Sequence, residues 1–259
     1  MRQLSSECTS TELKSARAQR ALLVFGGTEQ CGPCLPCNID TLLADFLAQE
    51  YATALSAYRL PTIPFNTSQE HGSLAGTLSF SARMMQAISS TLIEQLQQQG
   101  YREFIILSPH GGSHWENATV KELNATHPDL TIISAKDGAA ASMKSAYQAA
   151  GLSDLRGMHG GPMPLYTTAF LRPELIRPGR YGQWSPEQSE MAFNYGLLEA
   201  LSADGCWGEP VEVKLCELGK YQTIGQKLWS TFAQQQSLHL ENTLKRVRTL
   251  RAELTCRKL

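Results

Sequence analysis

The chain has 259 residues, 42% hydrophobic and 18% charged, a composition that excludes a disordered or fibrous protein. Its 23 Lys and Arg against 24 Asp and Glu leave a net charge of −1. No basic excess points to nucleic acid or to an anionic membrane as a partner.

Residues 1–20 are polar and lack the apolar centre of a signal peptide. No apolar run reaches the roughly 18–20 residues that a membrane helix needs. The seven cysteines are Cys8, Cys31, Cys34, Cys37, Cys206, Cys216 and Cys256. An odd count, with three crowded into CGPCLPC, is unlike a secreted disulfide framework. The expected compartment is the reducing cytoplasm.

Residues 4–20 are expected as a polar helix on the outside. ALLVFGG (21–27) is a short apolar run closed by two glycines and predicts a buried strand. TEQCGPCLPCNID (28–40) is a loop held by Pro33 and Pro36. Asp40 then stands at an N-cap position before TLLADFLAQEYATAL (41–55), whose apolar spacing is helical. RLPTIPF (59–65) is a second extended run. The segment 81–100 predicts an amphipathic helix from Ser81, stopped by Gly100. REFIILSP (102–109) predicts a third strand, NATVKELNATHP (117–128) a helix, LTIISA (130–135) a fourth strand, and DGAAASMKSAYQAAG (137–151) another helix. After Gly151 the chain is loop-rich, with RGMHGGPMP (156–164) and RPGRYGQWSP (177–186), and it ends in a long polar helix over 219–251.

Strands that alternate with helices predict an α/β fold, a mostly parallel sheet covered by helices on both faces. No internal repeat or linker divides the chain, so residues 1–259 read as one domain, with 1–19 peripheral and 219–259 a C-terminal helix. In such sheets the site lies at the carboxyl ends of the strands. Three polar loops fall there: TEQCGPC after the first strand, NTSQEHG after the second and SPHGGSHWEN after the third.

Glu29 and Asp40 flank the proline-fixed turn and suit cation binding; Asp40 as a helix cap and Glu29 as a solvated loop residue is the plainer alternative. Cys31, Cys34 and Cys37 recur every three residues, which suits a zinc or iron–sulfur site as well as small buried apolar packing. His110, two glycines, His114, Trp115 and Glu116 follow the third strand, a pattern for metal or acid–base work. His159, in a later glycine-rich loop, fits a second wall of the pocket. His71 reads as a structural or subunit-contact residue.

Together these loops resemble the creatininase (creatinine amidohydrolase) family. Its first signature, G-S/T-x-E-Q-H-G-P-H-L-P-x-x-T-D-T, is matched by GGTEQCGPCLPCNIDT (26–41). Its second, S-x-E-H-x-x-x-P-G-T-x-S, is matched by SQEHGSLAGTLS (68–79), and its third, N-G-H-G-G-N, by SPHGGS (108–113). A fourth, H-A-G-x-x-E-T-S, is echoed by His159-Gly160-Gly161, and a late G-x-x-G-x-P by residues 205–210. The motifs run in order from about residue 20 to 228.

The resemblance implies a three-layer α/β sandwich, a metal-dependent amidohydrolase and a homo-oligomer, most often a hexamer. It implies a small-molecule substrate, and no nucleic acid or membrane. It maps the first metal onto Glu29, Asp40 and His110. The second metal's His is Cys31 here, and its Glu falls on Gly112, or on Glu116 if HWEN is set against the H-Y-E-N of creatininase. The fourth motif's Glu is Pro164. His159 matches the proton donor to the leaving nitrogen. One or two divalent ions are expected, zinc foremost with Cys31 as a further ligand, manganese or iron otherwise. The implied reaction is hydrolysis of a C–N bond in a small amide, cyclic amide or amidine by a metal-bound hydroxide, with Trp115 or Trp184 walling the pocket. The alternatives are a non-hydrolytic binding or scaffold subunit, and thiol chemistry at Cys31.

Overall fold

The computed structural model describes residues 3–153, 157–183, 195–196 and 202–256. Its centre is a four-stranded sheet in the order β2-β1-β3-β4, all parallel. The strands are β1 (Arg20–Val24), β2 (Tyr58–Arg59), β3 (Glu103–Leu107) and β4 (Thr131–Ser134). Every residue of EFIIL in β3 and TIIS in β4 is buried, so these strands alternate no polar face and need cover on both sides.

Helices supply that cover. On one face lie α2 (Ile39–Leu55), α5 (Ala139–Ala150) and α7 (Leu218–Cys256), which bury Leu43, Leu47, Tyr51, Ala146, Trp229 and Phe232. On the other lie α3 (Ala82–Gln98) and α4 (Trp115–Thr126), with Met85, Ile93, Trp115 and Leu123. The expected three-layer architecture with a parallel sheet is therefore present.

Most predicted elements lie where their periodicity put them. Ser81 caps α3 by accepting a hydrogen bond from the Met84 amide, and Gly100 follows it at φ 101°. Four expectations need correction. The N-terminal helix spans only Ser10–Ala16 as α1, and Ser5 bridges to Arg59 beside the sheet. The second extended run makes regular strand only at Tyr58–Arg59, with one further bridge from Ile63 to Phe25. Asp40 is not the N-cap of α2; Asn38 is, and Asp40 lies in the first turn. The loop-rich stretch after Gly151 holds a helix that was not expected, α6 over Pro162–Leu171, which takes in the end of RGMHGGPMP. Its prolines misled the sequence reading, yet the first turn of a helix tolerates proline because its amides have no intrahelical partner.

Two short antiparallel pairs complete the described structure. β5 (Gly157–His159) pairs with β7 (Trp207–Gly208), and β6 (Gly179–Tyr181) pairs with β8 (Val211–Val213). They pack a small third core around Cys31, Cys34, Leu165 and Tyr181. That core seats the first loop and carries His159 to it. No described helix is long and apolar enough to cross a membrane.

Candidate metal centre

The sheet order fixes where the site forms. The chain leaves β1 toward β2 through α2 and returns to the far side of β1 through α3 and β3. The loops after β1 and β3 therefore part to opposite faces, and a crevice opens between their strand ends. Glu29 comes from the first of these loops and His110 from the second. Asp40 rises from the first turn of α2 between them.

Ligand atoms of Glu29, Asp40 and His110 lie within 4.8 Å of one another. His110 Nε2 is 2.7 Å from the Thr67 carbonyl, which can only accept, so Nε2 carries a proton. Nδ1 is the nitrogen left to face Asp40 Oδ2, 2.7 Å away. Burial would lower the His110 pKa, but the Asp40 and Glu29 carboxylates raise it to about 9. A backbone carbonyl that orients an imidazole in this way is the usual outer support of a metal-bound histidine. Gly27 closes the floor: a Cβ there would lie 3.0 Å from Asp40 Oδ2 and 3.5 Å from His110 Nδ1.

Glu29 is 6% exposed. Its Oε1 accepts from His159 Nδ1 at 2.9 Å and lies 3.5 Å from His71 Nε2. Burial would raise its pKa, yet the His159 hydrogen bond and the charges of His159, His110 and His71 hold it well below the usual carboxylate range. Oε2 is buried with no hydrogen-bond partner, its nearest cation being His110 Nε2 at 3.7 Å. A buried carboxylate oxygen without a partner is costly, and a divalent cation shared with Asp40 and His110 would satisfy it. Two carboxylates and an imidazole suit zinc or manganese. The donor set thus fits the metal that the sequence implies.

His159 shows its protonation state in its contacts. Nδ1 donates to Glu29, and Nε2 lies 2.7 Å from the Gln30 carbonyl, so both nitrogens carry protons. Its pKa, which burial would lower, is raised to about 9 by Glu29. His71 is the opposite case. The Gln30 amide donates to its Nδ1 at 2.9 Å, and burial with the nearby His159 charge depresses its pKa to about 3. The two rings lie tilted at 45° with centroids 4.1 Å apart. His71 therefore belongs to the cluster around Glu29, which its structural reading from sequence missed; its place in the loop after the second strand was the available signal.

Cys31 is placed differently from its expected role. Its sulfur groups with Cys206 and His159, not with the Glu29, Asp40 and His110 set. A hydrogen bond with Cys206, together with burial, pushes the Cys31 thiol pKa well up, so the sulfur is protonated. Cys206 arrives on the late loop before β7, which sequence spacing could not relate to Cys31. Among the described residues, Cys34 and Cys37 join no group of three ligand atoms.

The structure does not bring Glu116 into the cluster. It sits in the first turn of α4, fully buried, where Oε1 accepts from the Ser134 hydroxyl and Oε2 lies 3.9 Å from Lys136 Nζ. Burial raises its pKa to about 7. Nor does position 112 offer space for a ligand side chain, because a Cβ on Gly112 would lie 2.2 Å from the Thr67 carbonyl. The same Cβ would lie 3.2 Å from Glu70 Oε1, so the Glu70 carboxylate occupies that side of the pocket. Trp115 does not wall the pocket either. It stacks edge-on against Phe25 in the core and donates to Asn66 Oδ1. Trp184 lies outside the described residues.

The cluster opens into a cavity of about 480 Å³. Glu29, Asp40, His110 and His159 line one end, and Lys136 and Glu70 stand on its walls.

Comparison with known proteins gives a concordant picture. The creatininase family model, described as creatinine amidohydrolase, matches residues 6–222. The mycofactocin precursor peptide peptidase of Mycobacterium tuberculosis (strain H37Rv) is 30% identical over 117 residues, which is 40% of this chain and 45% of that protein. The chain thus spans less than half the length of the curated relative it matches. A solved creatininase with Mn covers 90% of this chain at 18% identity and a TM-score of 0.66, over 97% of its own length. A mutant creatininase of Zn–Zn type covers 89% at 17% identity and a TM-score of 0.65, also over 97% of its own length. At such identity these two structures speak for the fold.

Proposed function

The chain belongs to the creatininase family, and from that membership we propose that it is a metal-dependent amidohydrolase acting on a C–N bond of a small amide or cyclic amide. The observation that carries the reading is the convergence of Glu29, Asp40 and His110 around one buried carboxylate oxygen that accepts no hydrogen bond. Glu29 Oε2, an Asp40 oxygen and His110 Nδ1 would hold a divalent ion, zinc or manganese by the chemistry of this donor set. Held by these residues, a divalent metal would lower the pKa of a water to about 7 and polarise a substrate carbonyl.

The protein's own groups divide the remaining work. His110 is oriented by Thr67 and Asp40. His159 holds Glu29 Oε1, which turns Oε2 toward the cation. His159 is a protonated imidazole on the cavity wall, and in the proposed reaction its Nε2–H would leave the Gln30 carbonyl to protonate the departing nitrogen as the C–N bond breaks. Lys136 Nζ, 3.2 Å from the His110 carbonyl, steadies the glycine loop. Thiol chemistry at Cys31 finds no support, because the nucleophile is a thiolate and this sulfur is buried and protonated. The mycobacterial relative's name places a peptide bond within the same bond class. A homo-oligomer is proposed on family grounds alone, and light scattering tests it.

Metal analysis of protein purified without added metal, followed by chromatographic detection of hydrolysis products from a panel of cyclic amides, formamides and dipeptides, tests the function. Bound divalent metal and chelator-sensitive hydrolysis are expected. Metal-free protein that metal loading leaves inert on every amide would overturn the reading and favour a non-hydrolytic relative.

A further inference from the structure

The cavity is deeper and more apolar than a small polar amide requires. From the ligand cluster it runs inward between α2, α5, α6 and α7. Its inner walls are Leu43, Leu47, Tyr51, Met143, Trp229 and Phe232. One stripe of α2 traces its course. Asp40 stands at the mouth, and Leu43, Leu47 and Tyr51 follow at steps of three and four residues, which places them on one helix face. From Asp40 to Tyr51 that face rises about 16 Å.

Tyr51, 1% exposed, ends the stripe on the cavity wall. Void space beside Leu, Met, Trp and Phe side chains is unfavourable unless something apolar fills it. That void opens onto the Glu29, Asp40 and His110 cluster.

We infer that the substrate carries an apolar acyl or aryl arm, which occupies this cavity while its amide lies at the Glu29, Asp40 and His110 end. The inference rests on the amidohydrolase reading only for which end of the substrate is the amide. It makes the arm, rather than polar contacts, the main source of substrate selection. An arm of medium length fits; a compact polar ring would leave the inner walls bare.

The test is binding of linear amides, from acetamide through butyramide and hexanamide to octanamide, to the purified full-length protein. Calorimetry or the fluorescence of Trp229 reports it. Each added methylene is expected to tighten binding about fourfold, the factor for burying one methylene, until the cavity is full. Met143→Trp, a change on a half-buried wall position, should erase most of that gradient by filling the space. If that variant does not fold, as judged by circular dichroism, the gradient in the natural protein still decides. Affinity that stays flat along the series, or a gradient that folded Met143→Trp leaves intact, overturns the inference. Hydrolysis of the same amides is scored separately. A binding gradient without hydrolysis supports the apolar arm and counts against the amidohydrolase reading alone.

Discussion

His159 Nδ1 donates to Glu29 Oε1 across 2.9 Å, and this bond ties the short β5 strand to the loop after β1, 130 positions earlier in the chain. It leaves Glu29 Oε2 as the oxygen free for a cation, and it keeps His159 protonated. The pair therefore links metal holding to proton donation.

Removal of that imidazole should separate the two roles. His159→Gln keeps a donor for Glu29 but no titratable proton, so metal content should change little. Amide turnover should fall by about 10²–10⁴-fold, the usual contribution of a general acid. Metal analysis beside kcat on one sample checks both, and unchanged kcat refutes the assignment.

His110→Ala should remove the metal and leave the fold. The loss in affinity should exceed the roughly 10–100-fold that losing an outer-shell partner costs. If metal content survives, the loop is misread as a ligand loop.

Cys31 should behave as a buried thiol rather than as a ligand of the carboxylate set. Its sulfur is hydrogen-bonded to Cys206 and protonated, so alkylation should be slow with or without chelator and become fast on unfolding. Cys31→Ser should keep the metal at Glu29, Asp40 and His110. Labelling that rises sharply on chelation in the folded protein would instead return Cys31 to the ligand list.

Glu116 should make stability fall as pH rises. Its folded pKa is raised to about 7 from an ordinary 4.5, so the folded state binds the proton more tightly. Its contribution is complete below about 4.5 and is lost as pH passes 7, a change of about 3 kcal/mol. Glu116→Gln keeps the shape without the ionisation. The gap in unfolding free energy between the two proteins should therefore differ between pH 5 and pH 8. An identical gap would mean that Glu116 titrates normally.

Gly32→Ala should destabilise the first loop. Gly32 has φ +69°, and a Cβ there would lie 2.6 Å from Cys206 Sγ. The backbone conformation alone costs about 1–3 kcal/mol for a residue with a side chain. Denaturant unfolding measures it, and a stability equal to that of the natural protein would show that the late loop moves aside.

By itself the sequence determined the alternation of β1, α2, α3, β3, α4, β4 and α5, because each element declares itself in its own apolar period and its own stop signal. It also sent the loops that carry Glu29 and His110 to one edge, since a parallel sheet gathers the carboxyl ends of its strands there, while the grouping of Glu29, Asp40 and His110 as one ligand set came from the family resemblance. Only the tertiary structure decided the partners that come from across the chain. Cys206 meets Cys31 because β7 pairs with β5, a contact between segments with no periodic signal of their own. His71 joins Glu29 because the loop after β2 folds over the crevice, whereas Glu116 turns into the core because α4 starts on the far side of its loop. Local patterns are short-range physics and can be read along the chain. Which side chains then share a buried space depends on long-range packing, which no local pattern encodes.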